Sequence, residues 1–274
     1  MEDLNRNIIQ KYFNKLGMSY ESARKDLVHI RSCLRDAVSD GALMRNVATG
    51  SIRIVADPNK TKADDRKFMA IADYYKVRDF LMSYEYSLKD VNRLALMIGS
   101  QTALRIGECL ALKYDDIDLL HGTVRVDESW DSVHQYLKQP KTKHAKRTVP
   151  LPPKAVAILQ RWIGYHREML FKLGIANPQH FLLLNRRGRL PVAKNVNTSY
   201  HQLQSRLGIP PKFSTHTLRH TLASLMIADK DISINYISRY LGHANTMITE
   251  RYYIGLLPEQ AEQTDATVLR VLSQ

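Results

Sequence analysis

The chain has 274 residues, 44% of them hydrophobic, and this globular composition excludes wholesale disorder and collagen-like repeats. Its two cysteines, with no Cys-x-x-Cys motif, exclude a disulfide framework and a zinc ribbon, and no apolar run approaches the roughly 18 residues of a membrane helix. The formal net charge of +13 favours a polyanionic partner, and we expect a cytoplasmic protein with no membrane association.

The first segment, residues 1–57, is expected to be all-helical. An apolar stripe recurs there every three or four residues, formed by Ala23, Leu27, Ile30, Leu34 and Val38. Ser19 or Ser22 is the candidate cap at the start of this amphipathic helix, and Gly41 lies just past its end. The polar residues 58–67 have no apolar period and predict an interdomain linker.

From Phe68 onwards the pattern predicts a mostly helical domain with short strands. Helices are expected over Ile71–Tyr84, Lys89–Thr102, 103–112, Lys154–Lys172, 190–207, from Ser214 or Thr215 onwards, over 232–241, and in 248–256 and 258–274. The alternating residues 122–129 predict a strand, and residues 134–151 predict a hairpin with its turn near 143–145. The predicted fold class is therefore mainly α with a small antiparallel β-sheet.

The positive charge is concentrated in one third of the chain. Residues 132–222 contain 16 lysines and arginines and a single acidic residue, Glu168. A charge needed only for solubility would be spread more evenly, so this concentration favours nucleic acid as the partner. A solvated basic surface is the alternative interpretation.

Four motifs follow one another between residues 102 and 253. They are TALRIGECLAL, KTKHAKRTVPL, HTLRH and LGHANTMITERYY. Each is weak alone, but as an ordered set they make the chain resemble the tyrosine recombinases, the phage-integrase type of site-specific DNA recombinase. The resemblance implies a catalytic domain over 68–274, a linker over 58–67, and a partial helical core-binding (SAM-like) DNA-clamp domain over 1–57.

The resemblance assigns six catalytic residues, namely Arg105, Lys141, His216, Arg219, His243 and Tyr252. Cleavage of a phosphodiester bond needs positive groups that neutralise the charge developing on the non-bridging oxygens. The guanidiniums of Arg105 and Arg219 suit this role because they are always charged and bind phosphate with two donors. His243 is expected to hydrogen-bond the same phosphate, and Glu108 is expected to orient Arg105.

The remaining assignments concern the nucleophile and its protons. Tyr252 is expected to form a 3′-phosphotyrosyl link that stores the energy of the broken bond. A tyrosine with an ordinary pKa of about 10 must lose its proton on attack, so His216 is the candidate base, and Lys141 is the candidate acid for the leaving 5′-oxygen. Tyr253 is the alternative nucleophile, but the nine-residue spacing from His243 favours Tyr252.

Further basic side chains are expected to contact DNA phosphates without taking part in the chemistry. These are Lys143, Lys146, Arg147, Arg186, Arg187 and Arg189. Lys143 and Lys146 also compete with Lys141 for the catalytic role, and the position of Lys141 before the turn favours it. A solvated loop is the alternative for the three arginines of NRRGR.

The resemblance implies chemistry without a cofactor, a metal or ATP. His216 and His220 lie four residues apart, as the histidines of a zinc-binding HExxH helix do. Thr217 stands where that motif has glutamate, and no third ligand is evident. We therefore expect no metal site there.

The predicted function is the integration and excision of a mobile genetic element, such as a phage genome. A resolvase, a transposase or a catalytically inactive DNA-binding relative is the alternative. Family members act as homotetramers on two DNA duplexes and exchange a C-terminal helix, so these partners, nucleoid association and accessory DNA-bending or directionality factors are expected. Docking of this helix on its own domain is the alternative to exchange. Residues 1–57 are shorter than the usual clamp, so a minimal clamp and a truncated one that lacks an arm-binding domain both stay open.

Overall fold

The computed structural model describes residues 4–60, 68–139, 146–243 and 245–253. The chain divides into two compact units, Met1–Asp64 and Asp65–Gln274. The expected hairpin turn near 143–145 and the expected helix over 258–274 lie outside the described residues. None of the described helices has the length and apolarity to cross a lipid bilayer.

Within residues 4–60, the first unit contains two helices, α1 (Arg6–Lys15) and α2 (Tyr20–Ser39). The side chain of Asn5 accepts backbone hydrogen bonds at the start of α1, and the side chain of Ser19 does so at the start of α2, as predicted for a cap. The apolar stripe of α2 packs against α1 in a small core of Ile9, Phe13, Ala23, Leu27, Leu34, Ala48 and Ile52.

The prediction that residues 1–57 are all-helical is wrong beyond Ser39. Residues 40–57 form turns and irregular backbone. The guanidinium of Arg31 on α2 donates to the carbonyl oxygens of Ala48 (3.0 Å) and Gly50 (2.9 Å). Gly50 has a φ of 116°, a conformation that favours glycine. Long-range hydrogen bonds and a glycine turn therefore stand in place of a further helix. The spacing of apolar residues along the sequence does not predict such contacts.

Among its described residues, the second unit has eight α-helices around two small antiparallel sheets. The helices are α3 (Ile71–Ser83), α4 (Val91–Thr102), α5 (Ile106–Ala111), α6 (Pro153–Lys172), α7 (Ala193–Arg206), α8 (Thr215–Ala228), α9 (Ile234–Leu241) and α10 (Thr246–Tyr253). α4 lies in the core and contacts α3, α5, α7 and α8. The fold class predicted from the sequence, mainly α with small antiparallel sheets, is confirmed.

The strands are β1 (Ile117–Asp118), β2 (Thr123–Val126), β3 (Ser129–Asp131), β4 (Tyr136–Lys138) and β5 (Arg147–Pro150). One sheet has the order β1-β2-β5, and the other pairs β3 with β4. The predicted hairpin over 134–151 is therefore wrong in its pairing, because β4 pairs with β3 and β5 with β2. The Asp131 carboxylate accepts the backbone N–H groups of Val133 and His134 and closes the turn earlier than predicted.

The segment predicted as one helix over 103–112 contains a sharp change of backbone direction. Ala103 ends α4 in the left-handed conformation, with a φ of 52° and a ψ of 22°. Arg105 has an extended backbone and caps α5, which begins only at Ile106. This break places Arg105 at the mouth of the candidate site described below.

Close contact between α5 and β3 depends on Gly107. A Cβ atom at this position would lie 2.6 Å from the Ser129 hydroxyl and 3.0 Å from the Trp130 carbonyl oxygen, and both distances are shorter than van der Waals contact. The backbone carbonyl cannot rotate away as a side chain can. Gly107 therefore lets the helix that follows Arg105 pack directly on the β3–β4 hairpin.

We predict that Gly107→Ala lowers the free energy of unfolding by about 1–3 kcal/mol, because the added methyl group overpacks this contact. Gly164→Ala in α6 is the matched control, since a Cβ atom there meets nothing within 4 Å. The control should gain about 0.5–1 kcal/mol from helix propensity. Urea unfolding measures both changes, and a stabilised Gly107→Ala variant would contradict the packing argument.

Candidate active site

Arg219 is a buried cation at the centre of the candidate site, with only 2% of its surface exposed. Its Nη1 donates to the carbonyl oxygen of Ala103 (2.6 Å), and its Nη2 donates to that of Leu241 (2.5 Å). The left-handed conformation of Ala103 costs an L-residue about 1–2 kcal/mol. Arg219 therefore joins the end of α4 to the end of α9, and the hydrogen bonds compensate for the burial of its charge.

His243 follows α9 directly and is also buried. Its Nε2 accepts a hydrogen bond from Nη2 of Arg219 (3.1 Å), because a guanidinium can only donate. Its Nδ1 lies 2.9 Å from the Thr249 hydroxyl and carries the proton in this tautomer. Burial, followed by the positive charges of Arg219 and then Arg105, lowers the pKa of His243 to about 3, so the imidazole is neutral at physiological pH.

Arg105 lies at the open side of the site, with 40% of its side chain exposed. The Glu108 carboxylate accepts the backbone N–H of Arg105 through Oε2 (2.8 Å) and its Nη1 through Oε1 (3.0 Å). One carboxylate thus caps α5 and holds the guanidinium of its own cap residue. This contact agrees with the orienting role expected of Glu108.

Arg147, expected to contact DNA, is buried instead, with 6% of its side chain exposed. It donates to both carboxylate oxygens of Glu108, at 3.2 and 2.8 Å, and from Nε to the Tyr240 carbonyl oxygen at 2.7 Å. Burial would raise the pKa of the Glu108 carboxyl, but the hydrogen bonds and charge of Arg147, with the charge of Arg105, lower it to about 2. This burial differs from the expected phosphate contact.

The other expected site residues are more exposed or lie outside the described part. His216 is exposed in the first turn of α8, and its ring meets the edge of the His220 ring at a centroid distance of 5.2 Å. Lys146, Arg186, Arg187 and Arg189 are also exposed. Lys141 and Lys143 lie outside the described residues. Within the described segments, no group of three or more His, Cys, Asp or Glu side chains could hold a metal ion.

The three arginines at 186, 187 and 189 lie on a tight turn that Asn185 organises. The Asn185 side-chain oxygen accepts the backbone N–H of Arg187 at 2.8 Å, and its backbone pairs with Arg189 and Gly188. Gly188 has a φ of 66°, which suits glycine. The backbone of this turn is therefore fixed, and it presents three cations to solvent.

Tyr252 and Tyr253 lie in the last turn of α10, and their side chains are outside the described part of the chain. α10 packs against α8 and α9. Thr249, on α10, is buried and hydrogen-bonded to His243. The helix that carries the candidate nucleophile is thus joined to the buried arginine cluster one turn before Tyr252.

The sequence analysis missed Thr249, and it named Arg147 as a DNA contact without predicting its burial. Thr249 carries no motif signal, because a threonine in an amphipathic helix is common. Arg147 could have been identified from strand alternation, since it lies two residues before the buried Val149 on the same face of β5. The resulting arrangement holds a guanidinium that is open to solvent, two that are buried and a neutral imidazole, and the exposed guanidinium of Arg105 suits an anionic phosphate group.

Residues 68–258 match the family model described as Phage integrase family. A tyrosine recombinase XerC-like protein of Caldanaerobacter subterraneus is 27% identical over 92% of this chain and 67% of its own length. The integrase of Staphylococcus phage L54a is 22% identical over 92% of this chain and 76% of its own length. The ICEBs1 integrase of Bacillus subtilis is 25% identical over 93% of this chain and 67% of its own length.

Solved structures share this fold. A Tn1549 transposon integrase in complex with a circular intermediate DNA superimposes with a TM-score of 0.75 at 17% identity, over 92% of this chain and 82% of that one. A XerH site-specific recombinase bound to a palindromic difH substrate in a post-cleavage complex gives a TM-score of 0.73 at 16% identity, over 97% and 73%. The architecture is therefore that of these proteins.

The low pKa of His243 predicts acid sensitivity of the fold. In the unfolded chain His243 has an ordinary pKa of about 6.5 and becomes protonated below that pH, whereas the buried His243 of the folded chain stays neutral there. Its contribution to stability is therefore complete above pH ~6.5 and is lost as the pH falls towards 3. Urea unfolding of His243→Gln between about pH 7.5 and pH 5 should show a flatter pH dependence than the parent chain.

His201→Gln is the control for this experiment, because His201 lies in α7 of the same unit and is not buried. This variant should keep the pH dependence of the parent chain. Parallel pH curves for His243→Gln and the parent chain would show that His243 is not the acid-sensitive group.

Proposed function

Because the chain belongs to the phage integrase family of tyrosine recombinases, we propose that it cleaves and rejoins DNA strands through a covalent 3′-phosphotyrosyl intermediate at Tyr252. Its role is the integration and excision of a mobile genetic element. The observation that carries this proposal is the hydrogen-bonded chain from Arg219 through His243 to Thr249. It joins the buried Arg219 to α10, the helix that bears Tyr252.

The arginines supply the electrostatic part of the reaction. Attack on the scissile phosphate adds negative charge to its non-bridging oxygens, and Arg105 and Arg219 neutralise it. Both guanidiniums are held in place before substrate binds, by Glu108 and by backbone carbonyls respectively. Donors fixed in advance avoid the reorganisation that water would need, and each such donor contributes roughly 3–4 kcal/mol.

The covalent step conserves one phosphodiester bond. The phenolic oxygen of Tyr252 attacks phosphorus, a bond between tyrosine oxygen and phosphorus forms, and the bond to the 5′-oxygen breaks. His216, exposed at the start of α8, takes the phenolic proton, and Lys141 gives a proton to the leaving oxygen. A 5′-hydroxyl of another strand reverses the step, so no external energy source is consumed.

DNA is the polyanion that the charge distribution favours. The exposure of Lys146 and of the arginines at 186, 187 and 189 supports contacts to phosphates. The Tn1549 integrase and the XerH recombinase named above were solved with DNA bound. We further propose a homotetramer on two duplexes, with exchange of the segment over 258–274 between protomers, acting on the nucleoid in the cytoplasm with accessory DNA-bending or directionality factors.

The first test is formation of the covalent adduct. The protein is incubated with a pool of nicked suicide duplexes of randomised core sequence, and denaturant-resistant protein–DNA adducts are separated by electrophoresis. We expect an adduct with the parent chain and none with Tyr252→Phe, because phenylalanine has no nucleophilic oxygen. Sequencing of the trapped DNA also identifies the target site.

Tyr253→Phe is the matched control, since it removes the same atom from the next residue. It should retain the adduct. Loss of the adduct in Tyr253→Phe with retention in Tyr252→Phe would assign the nucleophile to Tyr253. No adduct with the parent chain would favour a DNA-binding relative that has lost the chemistry.

The second test concerns the arginine turn. Replacing Arg186, Arg187 and Arg189 together with glutamine should weaken binding to a random duplex of ~30 bp. The slope of log affinity against log salt should become shallower by up to about 2.7, because each lost phosphate contact removes about 0.9. Fluorescence anisotropy at several salt concentrations measures the slope.

A triple control removes the same number of charges from arginines that are already paired with carboxylates. The three pairs are Arg78–Asp79, Arg93–Asp90 and Arg125–Asp116. This variant should keep the slope of the parent chain. Equal changes in both triple variants would mean that net charge, and not the turn, determines the salt dependence.

A further inference from the structure

Arg147 forms an ion pair with the Glu108 carboxylate, which also binds Arg105. Oε1 of Glu108 accepts from Nη1 of both arginines, at 3.2 Å for Arg147 and 3.0 Å for Arg105. Oε2 accepts from Nη2 of Arg147 and from the backbone N–H of Arg105, both at 2.8 Å. The two arginines therefore share both oxygens of one buried carboxylate.

We propose that Arg147 is a positioning residue, which holds the Glu108 carboxylate in the one orientation that aims the guanidinium of Arg105 at the scissile phosphate. The inference rests on the proposed function. It replaces the phosphate contact that the sequence suggested for Arg147 with an action through Glu108.

The planar fork of a guanidinium explains why an arginine occupies this position. A carboxylate held at one oxygen can rotate about its Cγ–Cδ bond, whereas one held at both oxygens by a planar partner cannot. Each oxygen of Glu108 contacts a different part of Arg105, one its backbone and the other its guanidinium. Rotation of the carboxylate would release both contacts together.

Arg147 also fixes Glu108 relative to the rest of the site. Its Nε donates to the carbonyl oxygen of Tyr240, the residue before Leu241, whose own carbonyl binds Arg219. Gly242 makes room for this approach, because a Cβ atom there would lie 2.9 Å from Nη1 of Arg147. One guanidinium therefore connects α5, β5 and the end of α9.

Burial separates Arg147 from its neighbour Lys146. Lys146 is exposed, whereas the side chain of Arg147 is 6% exposed and donates to carboxylate and carbonyl acceptors. A phosphate contact would require these hydrogen bonds to break and would leave Glu108 poorly compensated. Such a rearrangement is costly for a buried ion pair.

Removal of Arg147 should make Glu108 titrate at higher pH. The charged groups that act on Glu108 are Arg147 in β5, Arg105 before α5 and Arg219 in α8, while the nearby His243 is neutral. Burial opposes ionisation of the carboxylate, and Arg147 is the strongest group that favours it. A protonated Glu108 would lose its grip on Arg105, so cleavage by a variant that lacks Arg147 should fall at acid pH.

The experiment measures the single-turnover rate constant of adduct formation on the trapped target duplex, with DNA in saturating excess, from about pH 5.5 to pH 8.5. We expect Arg147→Met to lose about 100-fold in rate, as a displaced catalytic group does. The loss should deepen at acid pH, while DNA affinity and its salt slope stay unchanged. Arg147→Lys should lose about tenfold, because an ammonium keeps the charge but not the fork.

Two comparisons isolate the action through Glu108. If Arg147 acts through this carboxylate, the double variant Arg147→Met/Glu108→Gln should be no slower than Glu108→Gln alone and should lack the acid loss. Arg125→Met in the neighbouring strand β2 is the matched control, since Arg125 also binds a buried carboxylate, that of Asp116. It should keep the parent rate.

The outcomes separate this inference from the proposed function. A parent chain that forms no adduct contradicts the proposed function. A parent chain that forms the adduct while Arg147→Met stays within about twofold of its rate overturns the positioning role. An equal loss at every pH that adds to the loss in Glu108→Gln also overturns it. If Arg147→Met fails to bind DNA, the same comparison is made with Arg147→Lys. The rate of the double variant Arg147→Lys/Glu108→Gln is then compared with that of Glu108→Gln alone, and a further loss overturns the positioning role.

Discussion

Two buried guanidiniums constrain how the helices and strands of the second unit are joined. Arg219 and Arg147 are both withdrawn from water, and neither can lose its charge by deprotonation. Burial of such groups is tolerated only where acceptors saturate them, so the fold supplies backbone carbonyls of Ala103, Tyr240 and Leu241. The last carbonyl groups of a helix have no partner within the helix. The C-terminal ends of α4 and α9 therefore lie where the two arginines can donate to these carbonyls.

This constraint links stability to chemistry. The carbonyls and the Glu108 carboxylate that make arginine burial possible also fix the guanidiniums in advance of substrate binding. The left-handed Ala103 and the depressed pKa of His243 are costs of the same arrangement. A site that gathers three guanidiniums around one carboxylate has excess positive charge, and a phosphate group relieves it.

Much of the fold was predictable because local periodicity determines it. The apolar stripe of α2 and the cap at Ser19 are both found in the structure. The failures share one physical cause, which is that long-range contacts override local pattern. Residues 40–57 are held by hydrogen bonds from the Arg31 guanidinium to their backbone and do not form the predicted helix. The strand β5 pairs with β2 instead of β4. The helix predicted from residue 103 begins only at Ile106, because the carbonyl of Ala103 binds an arginine 116 positions away.

The sequence by itself determined the family resemblance, the fold class and the concentration of charge, because motif order and composition are properties of the chain. It also nominated the residues of the site, and the structure brings Arg105, Glu108, Arg219 and His243 together. Only the tertiary structure decided which acceptors meet the buried cations. Lys146 and Arg147 are adjacent and both cationic, yet one faces solvent and the other binds a carboxylate 39 positions away. Strand alternation indicates the face on which Arg147 lies, but no local signal specifies acceptors that are distant along the chain, because tertiary packing brings them together.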